Sequence, residues 1–263
     1  MACLRQSKMD EPLFRQGYVK RFRCIYIYSS TLASAFQFAD GREEFLLLSN
    51  DIVSYLQKLR PAPDEDIEEM EQYAYRHRIP IMDPVSVEVL LFILKLIRPR
   101  RILEIGTAIG YSAIRMAKAL PDARIVTIEK DRERYERARF YIEKTNTKRQ
   151  IEAVLGDALA VEADVAAAAP FDVLFIDAAK GQYERFFTLY EPFVAAGGLI
   201  ISDNVLFKGL VAAEAPADNR RLWNIARKIR RYNEWLMSRS GYDTVIIPVG
   251  DGLAISKKRG EEQ

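Results

Sequence analysis

Cysteine is nearly absent from this chain. Its 263 residues hold two, Cys3 and Cys24, and the 239 residues after Cys24 hold none. That excludes a disulfide framework and a cysteine-built zinc site. Histidine is scarcer still. His77 stands alone, so a multi-histidine metal centre is excluded and histidine-based nucleophilic catalysis is disfavoured. A satisfied surface or helix-end histidine is the ordinary reading of such a residue. No apolar run approaches the ~20 residues of a membrane-spanning helix, and no internal repeat is visible. Excess charge is lacking too. Lys and Arg number 39 and Asp and Glu 37, for a formal net charge of +2. Bulk charge therefore implies no nucleic-acid partner, and any basic feature must be local.

What is present suits one large α/β domain with an extension. The 49% hydrophobic content can fill a core at this length. Residues 1–47 read differently from the rest. Arg21-Phe-Arg23 followed by Cys24–Phe36 faintly resembles a signal peptide, but its apolar part is broken by serines and tyrosines. The expectation is an extension that is poorly ordered, or that comes from a start site placed too far upstream, with the natural start near Leu46–Leu48. A single domain over 48–263 follows, in a chain expected to be cytoplasmic.

Within that domain, helices are expected over about 51–97. Ile52, Tyr55, Leu56 and Leu59 have helical spacing, and Pro61 and Pro63 stop that helix. Asp64-Glu-Asp opens a second helix, Ile79–Pro84 is a proline-fixed turn, and a third helix spans about 85–96. Strands and helices then alternate over about 100–258. Strands are expected at 101–106, 124–129, 151–155, 171–176 and 197–202, with helices at about 110–119, 131–145, 158–168 and 181–192. This order predicts a doubly wound, mostly parallel sheet with right-handed crossovers. A basic helix at about 219–238 precedes Thr244–Val249 and Leu253–Lys257, which Gly250-Asp-Gly252 joins as an antiparallel hairpin.

The chain is organised around Arg101–Ser112. Ile102, Leu103 and Ile105 form a strand buried on both faces, Gly106 breaks it, and a helix opens at Gly110. Strand, glycine turn and helix N-terminus together hold nucleotide-like ligands in such folds. The dinucleotide fingerprint is not met, because its third and sixth places hold Ala108 and Tyr111. Glu104, two residues before Gly106, favours a cationic ligand. Glu129 ends the next strand about 20 residues on, where a carboxylate can take both ribose hydroxyls. Glu-x-Gly-x-x-x-Gly with such a glutamate resembles the S-adenosylmethionine site of class I (Rossmann-like) methyltransferases. Another nucleotide site or a structural turn are the alternatives.

Two more strands end in polar residues, Asp177 on one and Asp203 with Asn204 on the other. Carboxyl ends of strands line the ligand crevice in this fold. Three hard oxygen donors suit Mg²⁺ or Ca²⁺; strand-end turns and helix caps are the alternative. Lys180 follows Asp177 by three residues and either lies over that site or faces solvent. Asp157 either accepts from an adenine amino group or caps a helix. On the helix from Asn219, Arg220, Arg221, Arg227, Lys228, Arg230 and Arg231 form a cationic run without an acid before Asn233, and Lys208 adds charge elsewhere. Such a run suits phosphates, or it is a solvated face. Phe207, Tyr183 and Trp223 are candidates for base stacking, or core.

Glu104–Ser112, Phe175–Tyr183 and Ser202–Gly209 together resemble the cation-dependent O-methyltransferases, the family of the catechol and caffeoyl-CoA enzymes. The resemblance runs from about Asp51 to Lys258. Asn204–Val211 and Ile247–Lys257 resemble a bacterial branch that methylates 5-hydroxyuridine at the tRNA wobble position (U34) to 5-methoxyuridine. The resemblance implies Asp177, Asp203 and Asn204 as ligands of Mg²⁺, with Mn²⁺ or Ca²⁺ as alternatives. It implies Met82, Glu104, Gly106, Ser112, Glu129, Asp157, Ala158 and Asp177 as contacts of S-adenosylmethionine, and Lys180 as the catalytic lysine. It further implies a homodimer, a tRNA anticodon loop as partner and no membrane. The alternative substrate is a catechol-type or other vicinal-oxygen small molecule, which would fill the same metal site.

Overall fold

The structure is a computed structural model and describes residues 50–213 and 219–260. The extension expected over residues 1–47 lies outside the described residues. The helices are α1 (Asn50–Leu59), α2 (Glu65–His77), α3 (Pro84–Ile97), α4 (Tyr111–Ala119), α5 (Arg132–Lys144), α6 (Glu162–Ala166), α7 (Tyr183–Tyr190) and α8 (Arg220–Ser238). The strands are β1 (Arg101–Ile105), β2 (Arg124–Glu129), β3 (Ile151–Leu155), β4 (Phe171–Ile176), β5 (Val194–Ser202), β6 (Tyr242–Ile247) and β7 (Leu253–Lys258).

These strands form one sheet in the order β3-β2-β1-β4-β5-β7-β6. Pairs among β1 to β5 are parallel, and β7 is antiparallel to both β5 and β6. Side-chain alternation divides the core between the two faces. Ile102, Ile125, Val173, Phe175 and Ile201 pack with α2, α3 and α4 on one face. Leu103, Ile105, Val126, Leu174, Ile176 and Ile200 pack with α7 and α8 on the other. On α8, Ala226, Ile229, Tyr232 and Leu236 recur at helical spacing and are buried.

Caps explain the boundaries. Asp64 accepts from Ile67 N to start α2, and Asp83, before Pro84, accepts from Val85 N and Ser86 N to start α3. Asn219 does the same for α8 through Arg221 N and Leu222 N. The helix expected at 158–168 is reduced to Glu162–Ala166. Asp157 accepts from Leu159 N through its side chain (2.9 Å) and from Ala160 N through its carbonyl (2.8 Å), closing a turn in place of the first helical turn.

Register brings the strand ends level. Ile105 pairs with Ile128 and with Ile176, and Ile176 pairs with Ser202. The next residues, Glu129, Gly106, Asp177 and Asp203, therefore form a row along the carboxyl edge. The connection leaves β1 towards β2 on one side while β4 lies on the other, so the crevice opens at the switch point beside β1.

Candidate active site

A cavity of about 430 Å³ lies at that edge, within the range of small-molecule sites. Met82, Gly106, Ser112, Glu129, Asp157, Ala158, Asp177, Lys180 and Asn204 line it. Glu104 and Asp203 sit behind the wall, at 0% and 1% exposure. The site residues expected for cofactor, metal and lysine thus come together in and immediately beneath one cleft.

Gly106 is required by space. Its φ is +105°, and a Cβ there would fall 1.9 Å from the Asp177 carbonyl oxygen. The strand end of β4 can approach only because no side chain intervenes. Gly110, at φ +86°, opens α4.

Each acid at the ends of β1 and β2 is held in place. Glu129 accepts from Ala108 N (2.8 Å) and Asp131 N (2.9 Å), so backbone amides set its carboxylate plane. Glu104 accepts from the hydroxyls of Ser112 and Thr127, and Thr127 shares a 2.6 Å hydrogen bond with Thr107. Burial pushes the Glu104 carboxyl up to about 7, against the pull of those two hydroxyls and with help from Asp177 and Glu129. None of these neighbours is a cation, and a ligand ammonium would supply one. Asp157 is an Asx-turn residue here and not a helix cap.

Just past β5, Asn204 donates to Asp203 through its backbone N (2.7 Å) and Nδ2 (2.5 Å). Lys180 Nζ donates to Asn204 Oδ1 and lies 5.3 Å from the Phe207 ring centre. Burial raises the carboxyls of Asp177 and Asp203, and the charge of Asp177 raises Asp203 further. Burial also lowers Lys180, opposed by Asp251, Asp177 and Asp203. Two repelling carboxylates, Asp203 buried and Asp177 half-buried at the cleft wall, with an amide oxygen beside them suit a hard divalent cation. Among the described residues no three His, Cys, Asp or Glu side chains cluster as a metal site, and the third donor here is an amide.

Tyr183 is core: it is 1% exposed, donates to Asp203 O (3.0 Å) and packs edge-on against Tyr232. Phe207 is buried. On α8, Arg220, Arg221, Arg227, Lys228 and Arg231 are exposed, as is Lys208 on the loop after β5. Arg230 is committed elsewhere: it donates to Val211 O (2.6 Å) and Ala213 O (2.5 Å) and lies over Trp223. Lys228 reaches the site's rim, since a Cβ on Gly181 would lie 3.2 Å from its Nζ.

Three contributors escaped the sequence reading. Thr127 orients Glu104, and Tyr111 lines the cleft while donating to Glu71 (2.7 Å). Asp251 lies 3.7 Å from Lys180. Only Asp251 had a visible mark, an acid between two glycines in the hairpin turn.

A family profile described as O-methyltransferase matches residues 61–259. Caffeoyl-CoA O-methyltransferase of Stellaria longipes is 28% identical over 233 residues, covering 84% of this chain and 95% of its own. The O-methyltransferase TomG of Streptomyces achromogenes, involved in tomaymycin synthesis and solved with SAM, is 30% identical. It covers 80% of this chain and 97% of its own at a TM-score of 0.69. An O-methyltransferase of Bacillus cereus solved with SAH is 27% identical, with the same coverages and TM-score.

Proposed function

The chain belongs to the cation-dependent class I O-methyltransferase family, and from that premise we propose that it methylates 5-hydroxyuridine at the tRNA wobble position, using S-adenosylmethionine and Mg²⁺. The observation that carries the choice of acceptor is the row of exposed cations on α8 that reaches the rim of the cleft at Lys228. A phosphate backbone entering the cleft would meet those cations. An anticodon-loop base can be splayed into a pocket without opening a duplex.

Glu104 would receive the cofactor's ammonium and Glu129 its ribose hydroxyls, while Gly106 lets the backbone lie against it. S-adenosylmethionine supplies a methyl group already bound as a sulfonium. Asp177, Asp203 and Asn204 would hold Mg²⁺, which would supply Lewis-acid stabilisation to an acceptor with two adjacent oxygens. Lys180, as an ammonium beside Asn204, would steady the oxyanion; only its neutral form, favoured by burial, could instead take the acceptor's hydroxyl proton at Nζ. The walls of the cleft would orient the acceptor against the cofactor, and orientation is the remaining catalytic task.

The curated relatives favour a second reading, a catechol-type acceptor, because caffeoyl-CoA enzymes are among them. One experiment separates the two. Protein, labelled S-adenosylmethionine and Mg²⁺ are given either 5-hydroxyuridine tRNA or caffeoyl-CoA, and products are resolved by mass. Chelator-sensitive methylation of the nucleoside supports the tRNA reading; methylation of caffeoyl-CoA alone overturns it.

The homodimer is part of the same proposal. Tyr55 and Leu59 on α1 and Phe92 and Leu96 on the neighbouring α3 are each more than 60% exposed, an apolar surface that a second copy would cover. Among the described residues no helix is long and apolar enough to cross a membrane.

A further inference from the structure

The loop after β5 is bent against the preferences of Phe207 and Lys208. Asn204, Phe207 and Lys208 have φ of 60°, 45° and 56°, and Gly209 follows at 75°. Asparagine and glycine tolerate the left-handed region, whereas Phe207 and Lys208 persist there only where the surroundings hold them.

The hold comes from the far edge of the sheet. At the turn between β6 and β7, Gly252 O accepts from Val205 N (3.0 Å) and Asp251 O from Leu206 N (2.8 Å). Asp251 Oδ1 accepts from the Lys208 backbone N. Its other carboxylate oxygen, Oδ2, lies 3.7 Å from Lys180 Nζ, the ammonium that also touches Asn204 Oδ1. The turn itself is wedged. A Cβ on Gly250 would fall 2.0 Å from Ser86 Oγ, and one on Gly252 would fall 2.4 Å from Leu206 Cγ. Asp251 does not line the cleft, so any effect it has on chemistry passes through other residues.

We infer that Asp251 is a positioning residue of this site, one carboxylate that both holds the strained 204–209 loop and fixes the Lys180 ammonium beside Asn204. The inference rests on the roles proposed above for Asn204 and Lys180. The two functions of the carboxylate can be separated. Asp251→Asn keeps an acceptor for Lys208 N and removes the charge facing Lys180. Asp251→Ala removes both.

The test compares wild type, Asp251→Asn and Asp251→Ala for Mn²⁺ affinity, S-adenosylhomocysteine affinity and melting temperature, and for kcat on whichever acceptor the wild type methylates. In Asp251→Ala, Mn²⁺ affinity and kcat should each fall about tenfold or more, the size expected when a hydrogen bond to a charged group is lost. S-adenosylhomocysteine affinity should stay within about twofold, because Glu104 and Glu129 lie on the other side of the cleft. Asp251→Asn should restore Mn²⁺ affinity while kcat stays low. A purely structural role would instead lower the melting temperature and weaken both ligands together. Unchanged Mn²⁺ affinity and kcat in Asp251→Ala would overturn the inference. Wild-type protein that binds no Mn²⁺ and methylates no acceptor would overturn the functional reading first, and this inference with it.

Discussion

Replacing Glu104 by glutamine should remove a pH dependence of cofactor binding that the wild type shows near neutrality. Glu104 is fully buried, and its carboxyl is raised from the ordinary 4.5 to about 7. Only the ionised form pairs with a ligand ammonium. Apparent affinity for S-adenosylhomocysteine should therefore fall as pH drops through 7, by about 10-fold at pH 6 and about 100-fold at pH 5. Glutamine fits the same hydroxyls, because Ser112 or Thr127 can rotate to accept. The side chain keeps its length, so packing is kept. The variant should bind about 10–100-fold more weakly than wild type at pH 8, the range for a lost charge-assisted hydrogen bond, and it should lose the step near pH 7, keeping only what Asp177, raised to about 6, contributes at lower pH.

Folding stability must move in the opposite direction. The unfolded chain releases this proton near 4.5 and the folded protein near 7, so the folded state holds more protons in between. The contribution is present below 4.5 and is lost as pH rises through 7. The interval of about 2.5 pH units corresponds to at most about 3–4 kcal/mol at 1.36 kcal/mol per unit. Other raised acids add the same trend, so the quantity to measure is the difference between wild type and Glu104→Gln. Calorimetric titration and denaturant unfolding, each from pH 5.5 to 8.5 with chelator present, supply both curves. A wild-type affinity that is flat over this range, or a variant that keeps the wild-type slope, would refute the assignment of Glu104 to the ammonium.

Four further outcomes are expected. Asp203→Ala should abolish methyl transfer and leave S-adenosylhomocysteine affinity within a few-fold, and turnover that survives both the substitution and chelator would dismiss the metal. Gly106→Ala should lose cofactor binding outright, since its Cβ would overlap the Asp177 carbonyl at 1.9 Å in a backbone that itself disfavours alanine by about 1–2 kcal/mol; a wild-type dissociation constant by calorimetry would contradict the close approach. Charge reversal at Arg227 and Lys228 should weaken tRNA binding and flatten its salt dependence, while Arg230→Ala should loosen the 210–213 segment instead. Salt titrations of filter binding, with identical slopes for wild type and double variant, would place α8 on an idle face. Phe92→Glu with Leu96→Glu should yield monomers by light scattering if α1 and α3 form the dimer contact, and an unchanged mass would move the interface elsewhere.

Local pattern carried most of the architecture. Residues at i and i+2 of a strand share a face, and those at i, i+3 and i+4 share a helix stripe, so β1 to β4 and α8 were legible within a residue or two. The 158–168 helix was not, because a side chain competing with the backbone at Asp157 is decided by geometry that periodicity does not encode. The proposed ligand residues Glu129, Asp177, Asp203 and Asn204 stand out in the sequence because they sit at or just past strand ends, and a parallel sheet gathers strand ends by construction.

The sequence by itself determined which residues carry charge and oxygen at the ends of β1, β2, β4 and β5, and which apolar residues would bury those strands. Tertiary structure decided which of the cations are spent. Arg230 belongs to the 204–213 region's carbonyls, whereas Lys228 lies at the rim, yet the two differ by two positions on one helix. It also decided that Asp251, 43 residues from Lys208, holds the loop beyond β5. Such pairings depend on the order of strands across the sheet and on the register between them. Those are set by the packing of the whole core and by no local run of residues.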